Sequence, residues 1–212
     1  MDTGIIRKAQ NEHRNTFESE QNASDQRRLR GRNVSRKSSV LLAGGSFWGM
    51  QQLLRQIPGV IHTCVGYSGG LMHRPTYHAK GDHADTVEVT FNPRQTSLRA
   101  ILEVFFQIHD PTTLNRQGPD VGPTYRSAVF FQSLYQRRVA RGLIQAMNRS
   151  GVWPGAVMTE VSKAGVFWPA EPEHQDYLQR HPNGFTYHFP RPHWHLPARA
   201  PRRASGKGDE TC

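Results

Sequence analysis

The first 38 residues are polar and carry no repeating apolar pattern, and the texture of the chain changes abruptly at Ser39. "SVLLAG" (39–44) is the short unbroken apolar run of a buried strand. "FWGMQQLLRQIP" (47–58) then sets Met50, Leu53, Leu54 and Ile57 at helical spacing, and Pro58-Gly59 stops that helix. "VIHTCVGYSGG" (60–70) predicts a second strand ending in a glycine turn. In "DTVEVTFNP" (85–93), Val87, Val89 and Phe91 alternate with polar neighbours, the signature of a half-buried strand. "TSLRAILEVFFQIHD" (96–110) places Leu98, Ile101, Leu102, Phe105 and Ile108 on one helical stripe behind Thr96 or Ser97 as the cap.

A long Gly/Pro loop (111–124) leads to a strand in "RSAVFFQS" and a helix in "LYQRRVARGLIQAMNRSG". "AVMTEVSKAG" predicts a further strand and "EPEHQDYLQRHP" a short helix. No internal repeat is present. Strands interleaved with helices in a chain of 212 residues predict one two-layer domain over 39–197, of α+β or α/β type. Residues 1–38 and 198–212 then form a disordered basic leader and tail.

Charge changes this picture little. The net charge is +10, but residues 1–40 hold nine Lys/Arg against five Asp/Glu, and residues 198–212 hold four against two. More than half of the excess therefore lies in segments with little to bury. The cluster "RRLRGRNVSRK" (27–37) has the charge to touch nucleic acid or another anionic surface, but no aromatic or helical pattern accompanies it. No apolar run reaches the roughly 20 residues of a membrane span, and the N-terminus lacks the apolar block of a secretory signal. A cytoplasmic protein is expected. Two cysteines, Cys64 and Cys212, form neither a disulfide framework nor a zinc-finger spacing. Cys64, in mid-strand, reads as a small buried hydrophobe. His73, His78 and His83 recur five apart and "HWH" spans 193–195, but without a cysteine or a clear carboxylate partner they predict no metal site.

The candidate chemistry gathers at "LLAGGSFWGM" (41–50), where a strand runs through two glycines into Ser46 and an aromatic pair. A hydroxyl in that place is the ordinary residue of a helix N-cap. As a nucleophile it would need a base and an oxyanion hole, and the pattern G-x-S-x-G would need glycine at position 48, which is Trp48. A serine hydrolase is not indicated. Phe47 and Trp48, like the tyrosines further along, are equally compatible with simple packing.

"GGSFWG", "GYSGG", "PTYHAKGDHAD", "HDPTTLNRQGPDVGPTYRSAVFF" and "EPEHQDYL" occur in this order. Together they resemble peptide methionine sulfoxide reductase A, from about Ser39 to Leu196. The resemblance implies an α+β two-layer sandwich with a mixed sheet and flanking helices, between long coil tails. It implies reduction of methionine-(S)-sulfoxide in proteins, no cofactor, and thioredoxin as reductant. In that family the first motif reads G-C-F-W-G, and its cysteine is the nucleophile; Ser46 stands in its place here. A thiolate at a helix N-terminus takes the sulfoxide oxygen and becomes a sulfenic acid, which a second thiol discharges. A serine has no comparable redox cycle.

The remaining positions carry over residue by residue. Phe47 and Trp48 match the slot for the substrate methyl group. Asp85, in Asp82-His83-Ala84-Asp85, matches an acid that hydrogen-bonds the sulfoxide oxygen, one carbon shorter than the usual glutamate, and it would act protonated. Tyr77 and Tyr125 match hydroxyls that hold the same oxygen. Asp120 matches the acid of G-N-D, with Pro119 replacing asparagine and Pro123-Thr124 replacing T-Q. His174 matches a histidine near the site. Tyr187 falls in "NGFTYHF", the stretch that carries a recycling cysteine in some members, so dependence on thioredoxin is weakened. Three functions fit: a reductase by descent whose Ser46 is an engineered or natural exchange, a non-reducing relative that binds a sulfoxide, or an interaction protein working through its basic ends.

Overall fold

The structure is a computed structural model in which residues 37–197 are described. The expected tail 198–212, with Cys212, and the expected leader up to Arg36 lie outside the described residues.

The first strand, β1 (Ser38–Gly44), runs into helix α1 (Phe47–Leu54), then β2 (Val60–Ser68), β3 (Ala84–Phe91) and helix α2 (Leu98–Ile108). A two-residue hairpin, β4 (Arg116–Gln117) and β5 (Asp120–Val121), precedes a 3-10 turn at Pro123–Tyr125. Next come β6 (Ser127–Phe131), helix α3 (Leu134–Ser150), β7 (Glu160–Lys163) and the edge strand β8 (Trp168–Pro169). A second 3-10 turn (Pro172–His174) and the short helix α4 (Tyr177–Arg180) complete the elements. Six strands form one sheet in the order β7-β6-β1-β3-β2-β8. All pairs are antiparallel except β6 with β7, so the sheet is mixed and the class is α+β.

The period of two along β1 divides its side chains between the two faces. Val40 and Leu42 join a large core with Met50, Leu54, Val65, Val87, Ile101, Phe105 and Leu143, so α1, α2 and α3 cover that face. Leu41 and Ala43 point the other way, into a small cluster with Ala84, Ala128 and Phe130. The expectation of a half-buried β3 fails over its first half, where Ala84 to Val87 are all buried. Strand β3 lies inside the sheet between β1 and β2, so neither face there is left to water.

Several boundaries also shift. The first helix ends at Leu54 rather than Pro58, in a turn closed by Arg55, Gln56 and Ile57 N–H groups. Ser97 rather than Thr96 caps α2, its hydroxyl accepting from Ala100 N–H at 3.1 Å. The single helix expected over 171–182 is broken at Asp176, whose φ of 55° is left-handed. That break is held from outside. Gln51 on α1 donates to Asp176 Oδ1 at 3.1 Å and accepts from Asp176 N–H at 2.9 Å, and Arg55 pairs with the same carboxylate. The broken segment is thereby pinned against α1, which places His174 and Tyr177 beside Trp48.

Candidate active site

The Gly44-Gly45-Ser46 turn joins β1 to α1 and leaves room for no other residue at its centre. Gly45 has φ of 95°, and a Cβ there would sit 2.7 Å from Gln117 Cβ and 2.9 Å from Tyr187 Oη. Ser46 occupies the N-cap position of α1, as expected, but its side chain makes no capping hydrogen bond. Its backbone N–H donates instead to Tyr187 Oη at 3.0 Å. The same phenol donates to Asp120 Oδ2 at 2.7 Å. One oxygen thus joins the N-cap position of α1, the hairpin acid and the C-terminal stretch. His188 adds a second tie, its buried Nε2 donating to Gly44 O at 2.8 Å. Burial lowers the His188 pKa to about 4, so the ring is a neutral donor near neutral pH.

Beyond this turn the expected residues come together. The rings of Phe47 and Tyr77 lie 6.3 Å apart, and those of Phe47 and His174 6.0 Å apart. Tyr77 stacks on His174 at 4.1 Å and on Trp48 at 5.8 Å. Glu171 fixes this wall, accepting from Tyr77 N–H at 2.9 Å and from Tyr67 Oη at 2.8 Å. Arg126 holds the turn bearing Tyr125 to the β2–β3 connection, through Pro123 O at 2.7 Å, Asp82 O at 3.0 Å and Gly69 O at 3.1 Å. Burial raises the pKa of both Tyr77 and Tyr125, which keeps each phenol protonated and able to donate.

Asp85 lies on the helix-covered face of β3 with Val87 and Val89, opposite Tyr67 of β2. Its side chain is 2% exposed, and burial pushes its pKa up to about 6, against the pull of Lys80 and of a hydrogen bond from the Phe47 backbone. That bond sets the carboxylate at the first turn of α1. Trp48 Nε1 and His174 Nδ1 are buried without a hydrogen-bond partner, in the walls of the same cluster. Buried polar atoms are seldom left without a partner.

Sequence reasoning missed four contributors. Lys80, Glu171, Tyr177 and the Gln51–Asp176 pair come from loops or from helix positions with no distinguishing pattern. Tyr177 stacks on Trp48 at 4.0 Å and was recoverable only as the aromatic residue of "EHQDYL". Lys80 lies five residues before Asp85 in a loop, where spacing carries no meaning.

Other candidates fall away from the site. Cys64 is half-buried rather than fully buried. Strand alternation turns it from Val65 and Tyr67, away from the aromatic cluster, and burial raises its thiol pKa. His83 gives both ring nitrogens to the backbone: Nδ1 accepts from Gly70 N–H at 3.1 Å and Nε2 donates to Met72 O at 2.8 Å. His73 packs edge-on against Trp168, whereas His78 packs edge-on against Tyr77 at the margin of the cluster. Among the described residues no three His, Cys, Asp or Glu side chains are grouped to hold a metal. No helix among them is long and apolar enough to cross a membrane. A cavity of about 250 Å³ between α2, α3 and the C-terminal segment, lined by Phe106, Met147, Trp153 and Trp194, shares no residue with the cluster.

The sequence profile of peptide methionine sulfoxide reductase matches residues 38–196. A peptide methionine sulfoxide reductase MsrA of Mycobacterium sp. (strain MCS) is 57% identical over 171 residues, covering 81% of this chain and all of the relative. Among solved structures, methionine sulfoxide reductase A of Corynebacterium diphtheriae superposes with a TM-score of 0.67 at 30% identity, covering 74% of this chain and 80% of that one. Mxr1 from Saccharomyces cerevisiae in its reduced form gives 0.68 at 29%, covering 77% and 94%. A glycine turn at the head of α1, the aromatic walls and a buried acid at its first turn thus accompany a match across nearly every described residue, and the chain belongs to the peptide methionine sulfoxide reductase A family.

Proposed function

We propose that this chain binds methionine-(S)-sulfoxide, free or within proteins, in the cleft at the N-terminus of α1, and that Ser46 prevents it from completing the thiol cycle. The observation that carries the reading is the contrast between walls and centre. Phe47, Trp48, Tyr77, Tyr125 and His174 are assembled around a buried acid, while the residue at the nucleophile position is an alcohol with its backbone tied to Tyr187.

Reduction of a sulfoxide moves one oxygen atom to an acceptor. A thiol accepts it as a sulfenic acid, and a second thiol returns the first to its starting state with release of water. The same transfer to Ser46 would form a hydroperoxide, whose O–O bond no family step discharges. Tyr187 supplies no second thiol, and Cys64 lies on the opposite face of the sheet with its pKa raised. Thioredoxin, the reductant implied by the family resemblance, therefore has no disulfide at this site to reduce.

Ser46→Cys tests both halves of the reading. With dithiothreitol as reductant the variant is expected to convert the S epimer of a methionine sulfoxide peptide to methionine, while the unaltered chain does not rise above a protein-free blank. Turnover by the unaltered chain would refute the thiol argument. A folded but inert Ser46→Cys variant would refute the claim that the cleft still receives the substrate.

A further inference from the structure

Lys80 enters the cleft from the loop between β2 and β3, with 12% of its side chain exposed, and sets Nζ 2.8 Å from Asp85 Oδ1. The ammonium stands 4.4 Å from the ring centre of Tyr77, 5.6 Å from Phe47, 5.7 Å from Tyr125 and 6.0 Å from Tyr67. At these separations the ring faces attract a cation, so the position is held from several sides. A positive charge accordingly occupies the ground between the methyl slot and the two phenols.

Its presence changes what Asp85 can do. The carboxylate already accepts from the Lys80 ammonium and from the Phe47 backbone. Both bonds favour its ionised, accepting form, whereas an acid that binds a sulfoxide oxygen must donate a proton. An ammonium has three N–H groups and accepts nothing, and Asp85 engages one of the three. We propose that Lys80 Nζ, rather than Asp85, donates the hydrogen bond to the oxygen of a bound sulfoxide, with Asp85 holding the ammonium in place. The assignment rests on the sulfoxide-binding reading above. It makes Lys80 the residue that distinguishes a sulfoxide from the corresponding thioether, and it explains how the site tolerates an acid one carbon short: the lysine spans the missing distance.

The groups facing the pair are Asp120 from β5, Tyr67 from β2, Tyr77 from the β2–β3 loop, Tyr125 from the first 3-10 turn and His174 at the second, with His78 against Tyr77 and Glu171 against Tyr67 and Tyr77 behind them. Of these, His174 has its pKa lowered by burial below the ordinary imidazole value. A matched pair of ligands removes their influence from the comparison.

The full-length chain is titrated by calorimetry with N-acetylmethionine-(S)-sulfoxide methylamide and, separately, with its thioether counterpart. In the unaltered chain the sulfoxide is expected to bind about tenfold or more tightly than the thioether, as a hydrogen bond from a charged donor would give. That ratio is expected not to fall as pH rises from about 6 to about 8, because the donated proton is not the one that Asp85 loses. Lys80→Met combined with Asp85→Val, which leaves no buried carboxylic acid to take over as donor, should bring the ratio close to one, and Lys80→Arg alone should keep most of it. A ratio that falls about tenfold per pH unit above about 6 would make protonated Asp85 the donor and overturn the assignment. So would a ratio that survives Lys80→Met combined with Asp85→Val. Both results leave sulfoxide binding intact. A folded, unaltered chain that binds neither sulfoxide epimer would remove this assignment and the reading beneath it together. Should the doubly substituted chain fail to fold, the pH series on the unaltered chain decides alone.

Discussion

Replacing Tyr187 by phenylalanine would remove a single oxygen and cut two connections at once. The phenol donates to Asp120 Oδ2 at 2.7 Å and accepts from Ser46 N–H at 3.0 Å, joining residues 141 positions apart. A bond to a charged acceptor contributes about 1.5–3 kcal/mol and a neutral backbone bond about 0.5–1.5 kcal/mol. Ser46 and Asp120 are both only partly buried, so water takes over some of each interaction once the hydroxyl is gone. The expected loss of stability is therefore about 1–2 kcal/mol, with the ring contact to His188 at 4.7 Å retained. Urea unfolding monitored by tryptophan fluorescence measures it as a lower midpoint at unchanged slope. The same variant frees the Ser46 amide at the head of α1, so, on the sulfoxide-binding proposal, sulfoxide affinity should fall as well. A stability change below about 0.5 kcal/mol would refute the view that Tyr187 fastens this turn, since surface substitutions without a structural role fall in that range.

Two further outcomes follow from the same turn. Gly45→Ala combines a φ of 95° with contacts of 2.7–2.9 Å to Gln117 and Tyr187, and is expected to cost about 2–4 kcal/mol in the same urea assay. A shift below about 1 kcal/mol would mean that the C-terminal stretch does not press on Gly45. The His188 pKa is lowered to about 4, so its contribution is complete above the unfolded value near 6.5 and is lost as pH falls through about 4. Burial lowers His109 in the same direction, to about 3, whereas Asp85, raised to about 6, acts with the opposite sign. A parent minus His188→Met difference cancels the groups common to both; it should shrink by about 3 kcal/mol between pH 7 and pH 4, and a constant difference would contradict a neutral buried ring.

The elements with strong periodicity were legible in the sequence because their burial is one-sided or complete. Strand β1 and the stripes of α2 and α3 are of this kind, and their residues line the core as expected. Features set by contacts across the chain were not. The hairpin β4–β5 and the edge strand β8 span two residues each, too short for any repeat to register. The break at Asp176 depends on Gln51 and Arg55, residues more than a hundred positions away. At the site, Phe47, Trp48 and Tyr77 stand out in the sequence only through motifs, and their rings meet at α1. Ser46 was placed correctly at the helix start, but the hydroxyl expected to cap it does not. The partner of Asp85 escaped notice because a loop lysine five residues upstream has no preferred direction until the fold closes around it.

The ties from Tyr187 and His188 to the β1–α1 junction also order events during synthesis. The sheet and its helices are specified before position 180, yet the junction beside Ser46 lacks two of its anchors until the segment near 188 has left the ribosome and folded back. Closing so long a span is among the slower steps of folding. A nascent chain therefore acquires its sheet before this junction is anchored, and a translation product stopped near residue 180 would fold with the turn beside Ser46 left untied.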